Sequence, residues 1–177
     1  MDKSVNKFKE GYNCAQSVLF AYGEDLGMSS DLAMKIATGF GGGMGRNQEV
    51  CGAVTGALMV IGLVYGRGIE ESKDKQENTY SKVQTFFDSF VKEFGTVNCK
   101  ELLDGCCLLT PEGQKSFKEN MLIERCYDYV RFSCRILDQI GVMQGKIEEK
   151  GCGMSNLGAF RQEIAPQSKT NHNRGTF

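Results

Sequence analysis

A chain of 177 residues is long enough for one domain with a core of its own, without disulfide staples. Its 21 Lys and Arg nearly balance 22 Asp and Glu, which leaves no basic footprint for phosphate neutralisation and excludes nucleic acid as an expected partner. The first residues hold Asp2, Lys3, Lys7, Lys9 and Glu10 and lack the apolar stretch of a secretory signal, so a cytoplasmic chain is expected. In a reducing compartment, the 8 cysteines point to metal binding or catalysis rather than to structural bridges.

The hydrophobic pattern predicts an all-α fold, a compact bundle of about five to seven helices over residues 1–144 followed by a polar C-terminal extension over 145–177. Residues 4–9 form a short opening helix that Gly11 interrupts. Asn13 offers an N-cap for a second helix through Ala15, Val18, Leu19 and Tyr22, ended by Gly23 or Gly27. A third starts at Ser30 and Asp31 and carries Leu32, Ala33, Ile36, Ala37 and Phe40 at helical spacing. It stops at Gly41, Gly42, Gly43 and Gly45, a cluster that permits positive φ and turns the chain toward the next helix. No alternating strand precedes the cluster and no P-loop lysine follows it, which argues against a nucleotide site.

Residues 50–66 are the longest uncharged run, with Gly52, Gly56, Gly62, Gly66, Ala53 and Ala57 among them. A helix starting near Cys51 with small residues on neighbouring turns suits close packing in a buried core rather than a membrane span. Residues 70–94 predict a long amphipathic helix, closed by Gly95. Its stripe of Tyr80, Val83, Phe87, Phe90 and Phe94 is expected in the core or at a subunit contact. Asn98 caps a short helix through Leu102 and Leu103, Gly105 stops it, and Thr110 with Pro111 opens another. The last long helix is predicted over 119–140, with Ile123, Cys126, Val130, Cys134 and Leu137 along one side. Beyond Gly141 the chain turns polar, and residues 166–177 are expected to be mobile. Leu157, Phe160 and Ile164 supply an apolar turn that docks on the body or on a second subunit, which with the small-residue and aromatic helices suggests a homodimer.

Three cysteines sit at predicted helix starts: Cys14 after Asn13, Cys99 after Asn98, and Cys51 before the small-residue helix. Unpaired amides and the positive end of a helix dipole there favour the thiolate that metal binding and disulfide exchange both use. Cys126 lies inside a later helix and reaches those ends if the bundle folds that helix against them. Taken singly, each is as readily a small buried hydrophobe, and no CxxC pair is present.

The stretches GYNCAQSVL around Cys14, FGGGMG before Cys51 and CGAVTGALMVIGL from Cys51 onward, with the later Cys99 and Cys126, resemble the C_GCAxxG_C_C family, which is named for redox activity. The resemblance covers residues 8–140 and is most specific over 40–63. It implies that Cys14, Cys51, Cys99 and Cys126 form the functional quartet and the ligand set of any metal. A partial likeness to the non-haem region of split-Soret cytochrome c implies an iron–sulfur cluster on these thiolates, with [2Fe–2S] as the first expectation. The haem part does not transfer, because no CxxCH is present and the lone His172 lies in the tail.

The resulting expectation is a cluster protein for electron transfer or redox sensing, with an unidentified redox partner and no assigned catalytic residue. Two alternatives use the same thiols: a thiol–disulfide oxidoreductase with no metal, and a zinc-stabilised interaction module. Cys106, Cys107, Cys134 and Cys152 fall outside the quartet; ordinary thiols are expected at the adjacent pair, and ligand, packing or resolving roles stay open for the others.

Overall fold

The computed structural model describes residues 3–144. Its helices are α1 (Lys3–Lys9), α2 (Cys14–Gly23), α3 (Ser30–Ala37), α4 (Gly41–Met44), α5 (Gly52–Tyr65), α6 (Lys73–Phe94), α7 (Cys99–Leu102), α8 (Pro111–Glu119) and α9 (Ile123–Ile140). The expected all-α bundle is present. Two of these elements, α4 and α7, are turns of 4 residues, and the other helices run from 7 to 22 residues. No strand forms among the described residues, where the β-type pairing is an isolated antiparallel bridge between Val50 and Asn98. The segment holding Leu157, Phe160, Ile164, Cys152 and His172 lies outside the described residues.

The uncharged run becomes the central helix. Along α5 the residues Gly52, Ala53, Val54, Gly56, Ala57, Val60 and Ile61 are buried, and α2, α6 and α9 pack around them. Glycine is required where α2 crosses, because a Cβ on Gly56 would stand 2.8 Å from the Ala15 carbonyl oxygen and 3.0 Å from its Cα. The helix axes therefore approach as closely as backbone allows. No helix among the described residues is long and apolar enough to cross a membrane.

Helix α9 closes the bundle against α1, α2, α5 and α6. The Tyr22 hydroxyl of α2 donates to the Cys134 carbonyl at 2.9 Å and to the Asp138 carboxylate at 2.8 Å, which fixes the register of the two helices. Phe86 and Phe90 of α6 are fully buried, each contributing about 2 kcal/mol of apolar transfer energy. Phe94 meets Tyr129 and Phe132 of α9 edge-on at centroid separations of 4.8 and 5.1 Å.

Three boundaries and one face differ from the sequence pattern. Helix α3 ends at Ala37, and Thr38–Phe40 form a 3-10 turn. Helix α6 starts at Lys73 after Ser72, and α9 starts at Ile123 because Met121 adopts φ +50°, outside the helical region. The buried stripe of α6 is centred on Phe86 and Phe90, while Tyr80 is 51% exposed. Spacing alone left Phe86 out because Phe87 satisfies the same period one position later.

The close crossing makes two glycines of one helix respond oppositely. Gly56→Val is expected to cost about 1–3 kcal/mol through overpacking against α2. Gly62→Ala, where an added Cβ meets nothing within 4 Å, should gain roughly 0.5–1 kcal/mol of helix stability. Urea midpoints measure both, and equal destabilisation would refute this packing.

Candidate functional site

The Asn–Cys pairs become capped helix starts. The Asn13 side chain accepts the Gln16 amide at 3.0 Å while the Gln16 side chain accepts the Asn13 amide at 3.0 Å, a reciprocal capping box that places Cys14 at the first position of α2. Asn98 likewise accepts the amides of Lys100 and Glu101 at 2.9 and 3.1 Å and sets Cys99 at the start of α7. Cys51 is the N-cap residue of α5.

Backbone pairing then joins two of these ends. The Cys51 amide donates to the Val97 carbonyl at 2.8 Å, the Cys99 amide to the Glu49 carbonyl at 2.7 Å, and the Lys100 amide to the Gln48 carbonyl at 3.2 Å. This short antiparallel ladder flanks the Val50–Asn98 bridge. The glycine turn is seated on it, since a Cβ on Gly43 would lie 2.7 Å from the Cys99 Cβ and 2.8 Å from the Gln48 Cα. Cys126 sits in the first turn of α9, which the Tyr129 hydroxyl ties to α7 by donating to the Leu102 carbonyl at 2.8 Å. Arg125 adds an exposed ion pair to Asp104 at 2.7 Å, a contact that screening leaves weak.

The outcome is a single cavity of about 130 Å³ lined by Cys14, Cys51, Cys99 and Cys126. All four are buried, with exposures of 4–8%. The rest of the wall is apolar or aromatic: Phe8, Leu102, Leu103, Leu108, Phe117 and Tyr129, with Gly42 and Gly52 between them. No Asp, Glu or His lines it, so thiol sulfur is the donor chemistry the cavity offers to a metal. Among the described residues, no group of three or more His, Cys, Asp or Glu side chains is placed to hold a metal ion as the protein stands. The four cysteines share the cavity wall without forming a ready-made ligand set.

Protonation departs from the sequence expectation. Helix starts were expected to favour thiolates, yet burial and thiol–thiol contact dominate. Cys14 is raised well above the ordinary thiol value, first by its hydrogen bond with Cys126 and then by burial. Burial pushes Cys51 up, reinforced by Cys14 and Cys99, although the amides of Ala53 and Val54 pull the other way. Cys99 is pushed up to about 12, again by burial and then by Cys14. Several buried sulfurs sharing one apolar chamber cannot all carry charge without a cation among them.

Among the described residues, three further cysteines lie in other settings. Cys106 is half-buried and its thiol donates to the Gly113 carbonyl at 3.3 Å, Cys107 is half-buried, and Cys134 is buried on α9. None of them lines the cavity. Sequence reasoning missed Gln48, which is 4% exposed and braces the wall by donating to the Cys106 carbonyl at 2.6 Å and accepting the Leu108 amide at 2.8 Å. It also missed Tyr129, although its spacing of one helical turn from Cys126 carried the signal. Nothing local marked Leu108 or Phe117.

The C_GCAxxG_C_C family model, described as "Putative redox-active protein", matches residues 12–140. An uncharacterized protein of Archaeoglobus fulgidus is 29% identical over 124 residues, which cover 66% of this chain and 82% of that relative. No solved structure matches the chain significantly.

The raised thiols dictate a pH response of the metal-free protein. Folding lifts Cys99 above its unfolded value, so as the pH climbs the unfolded chain releases its proton first. Stability is expected to be complete below about pH 8.5 and to fall progressively as the pH rises toward about 12. Urea midpoints at about pH 8 and about pH 10 measure the loss, which Cys99→Ser should reduce. A midpoint that rises with pH would contradict the burial of neutral thiols.

Proposed function

This chain belongs to the C_GCAxxG_C_C family, and from that premise we propose that Cys14, Cys51, Cys99 and Cys126 hold an iron–sulfur cluster used for electron transfer or redox sensing. The observation carrying this reading is the common cavity onto which all four thiols open. A donor set of sulfur alone, in an apolar chamber, suits an iron–sulfur centre, and [2Fe–2S] takes four cysteine ligands.

Bound there, such a cluster supplies one-electron chemistry at a potential set by charge, burial and hydrogen bonds to sulfur. The chain's own contribution is positional. Cys51 and Cys99 are fixed to each other by the backbone ladder, Cys14 by its capping box, and Cys126 by the α9 helix that Tyr129 anchors. Leu102, Leu103 and Phe117 line the chamber with apolar surface, which lowers the local dielectric and favours the protonated form of the uncoordinated Cys14, Cys51 and Cys99 thiols. Binding a cation must therefore release protons, so cluster uptake becomes more favourable as the pH rises.

A second reading has one observation in its favour. Cys14 and Cys126 line the same cavity, and Cys126 is the first cause of the raised Cys14 thiol, a coupling that suits a thiol–disulfide exchange pair.

Anaerobic purification followed by absorption spectra and iron and acid-labile sulfide assays separates these. The expected result is a coloured protein whose iron content falls at least severalfold in Cys14→Ser, Cys51→Ser, Cys99→Ser or Cys126→Ser and is retained in Cys134→Ser. A colourless, iron-free protein whose Cys14 and Cys126 oxidise to a disulfide would replace the cluster with the exchange pair.

A further inference from the structure

A second depression shares a wall with the thiol cavity. It is an open groove of about 540 Å³ that includes Gly42, Leu108 and Phe117, residues that also line the cavity, together with Arg46, Gln114 and Lys118. Its size suits a small molecule rather than a protein segment. No Asp or Glu lines it. Arg46 and Lys118 are both exposed, and among the described residues neither forms an ion pair. Two cations therefore face one groove without a counter-charge.

The backbone at Arg46 is held where an L-residue is disfavoured. Residues 42 to 46 all have φ between +61° and +69°, and the Arg46 amide is fixed to the Gly41 carbonyl at 3.2 Å. Glycine would occupy position 46 without the strain of about 1–2 kcal/mol that a side chain incurs there. An arginine stands at this position despite that cost, and it lines the groove.

We propose that the groove formed by Arg46, Lys118 and Gln114 binds a small carboxylate- or phosphate-bearing molecule and holds it against the Leu108–Phe117 wall of the thiol chamber. The guanidinium fork and the ammonium bind the anion, and the shared wall keeps it one side chain from the cysteines. That this molecule is a redox partner of the thiol site rests on the function proposed above; that it binds does not.

The test is a titration of the full-length chain with inorganic phosphate, and separately with citrate, followed by backbone amide NMR. Saturable shifts centred on Arg46, Gln114 and Lys118 are expected with at least one of the two anions. Arg46→Gly should weaken that binding at least tenfold while raising the urea midpoint, and Lys118→Gln should weaken it without lowering the midpoint. Shifts that grow without saturation for both anions, or saturate equally in both variants, overturn the proposal. Iron content measured on the same samples reports on the cluster separately, so an iron-free protein that still binds the anion leaves the groove standing and removes only its redox role.

Discussion

The site depends on a few backbone hydrogen bonds between residues 48–51 and 97–100. Without the pairing of Cys51 to Val97 and of Cys99 to Glu49, the starts of α5 and α7 would be independent loop ends. With it, two cysteines separated by all of α5, all of α6 and their connections stand side by side. Each bond contributes only about 1 kcal/mol net, but leaving buried amides unpaired would cost more, so the pairing is specified more strongly than its mean strength suggests. An isolated bridge in an otherwise helical fold is thus the element that converts helix packing into a thiol chamber.

The glycine turn supports that bridge from the other side. Gly43 touches Cys99 and Gln48 closely enough that any Cβ would displace them, and Met44, Arg46 and Gln48 hold positive φ beside it. These non-glycine residues each store strain of about 1–2 kcal/mol. For Gln48 the return is visible: its amide joins the 106–108 segment to the turn and holds Leu108 on the cavity wall. The same turn presents Arg46 to the outer groove, so one strained segment shapes both faces of the Leu108 wall.

Much of this was legible in the sequence where the cause is local. Asn13 and Asn98 marked helix starts, and Gly56 with Ala53 and Ala57 marked the close crossing, because capping and steric access act within a turn of chain. The polarity of the thiols was not legible. Helix-start position argues for thiolates, whereas the Cys126 contact at Cys14 and burial at Cys51 and Cys99 reverse the sign, and both are properties of the whole fold. The ladder was equally hidden, since a single residue pair produces no alternating pattern. Phe86 and Leu108 escaped for the same reason: what selects them is the partner they meet, not the period they keep.

The proposed function requires four cysteine side chains to act as one ligand set inside one chamber. Crystals grown without oxygen and measured at the iron absorption edge examine this most directly. The expected map has anomalous iron density inside the chamber, within bonding distance of the Sγ atoms of Cys14, Cys51, Cys99 and Cys126. Iron located elsewhere, or a chamber closed over four unligated thiols in protein that carries iron, would contradict it.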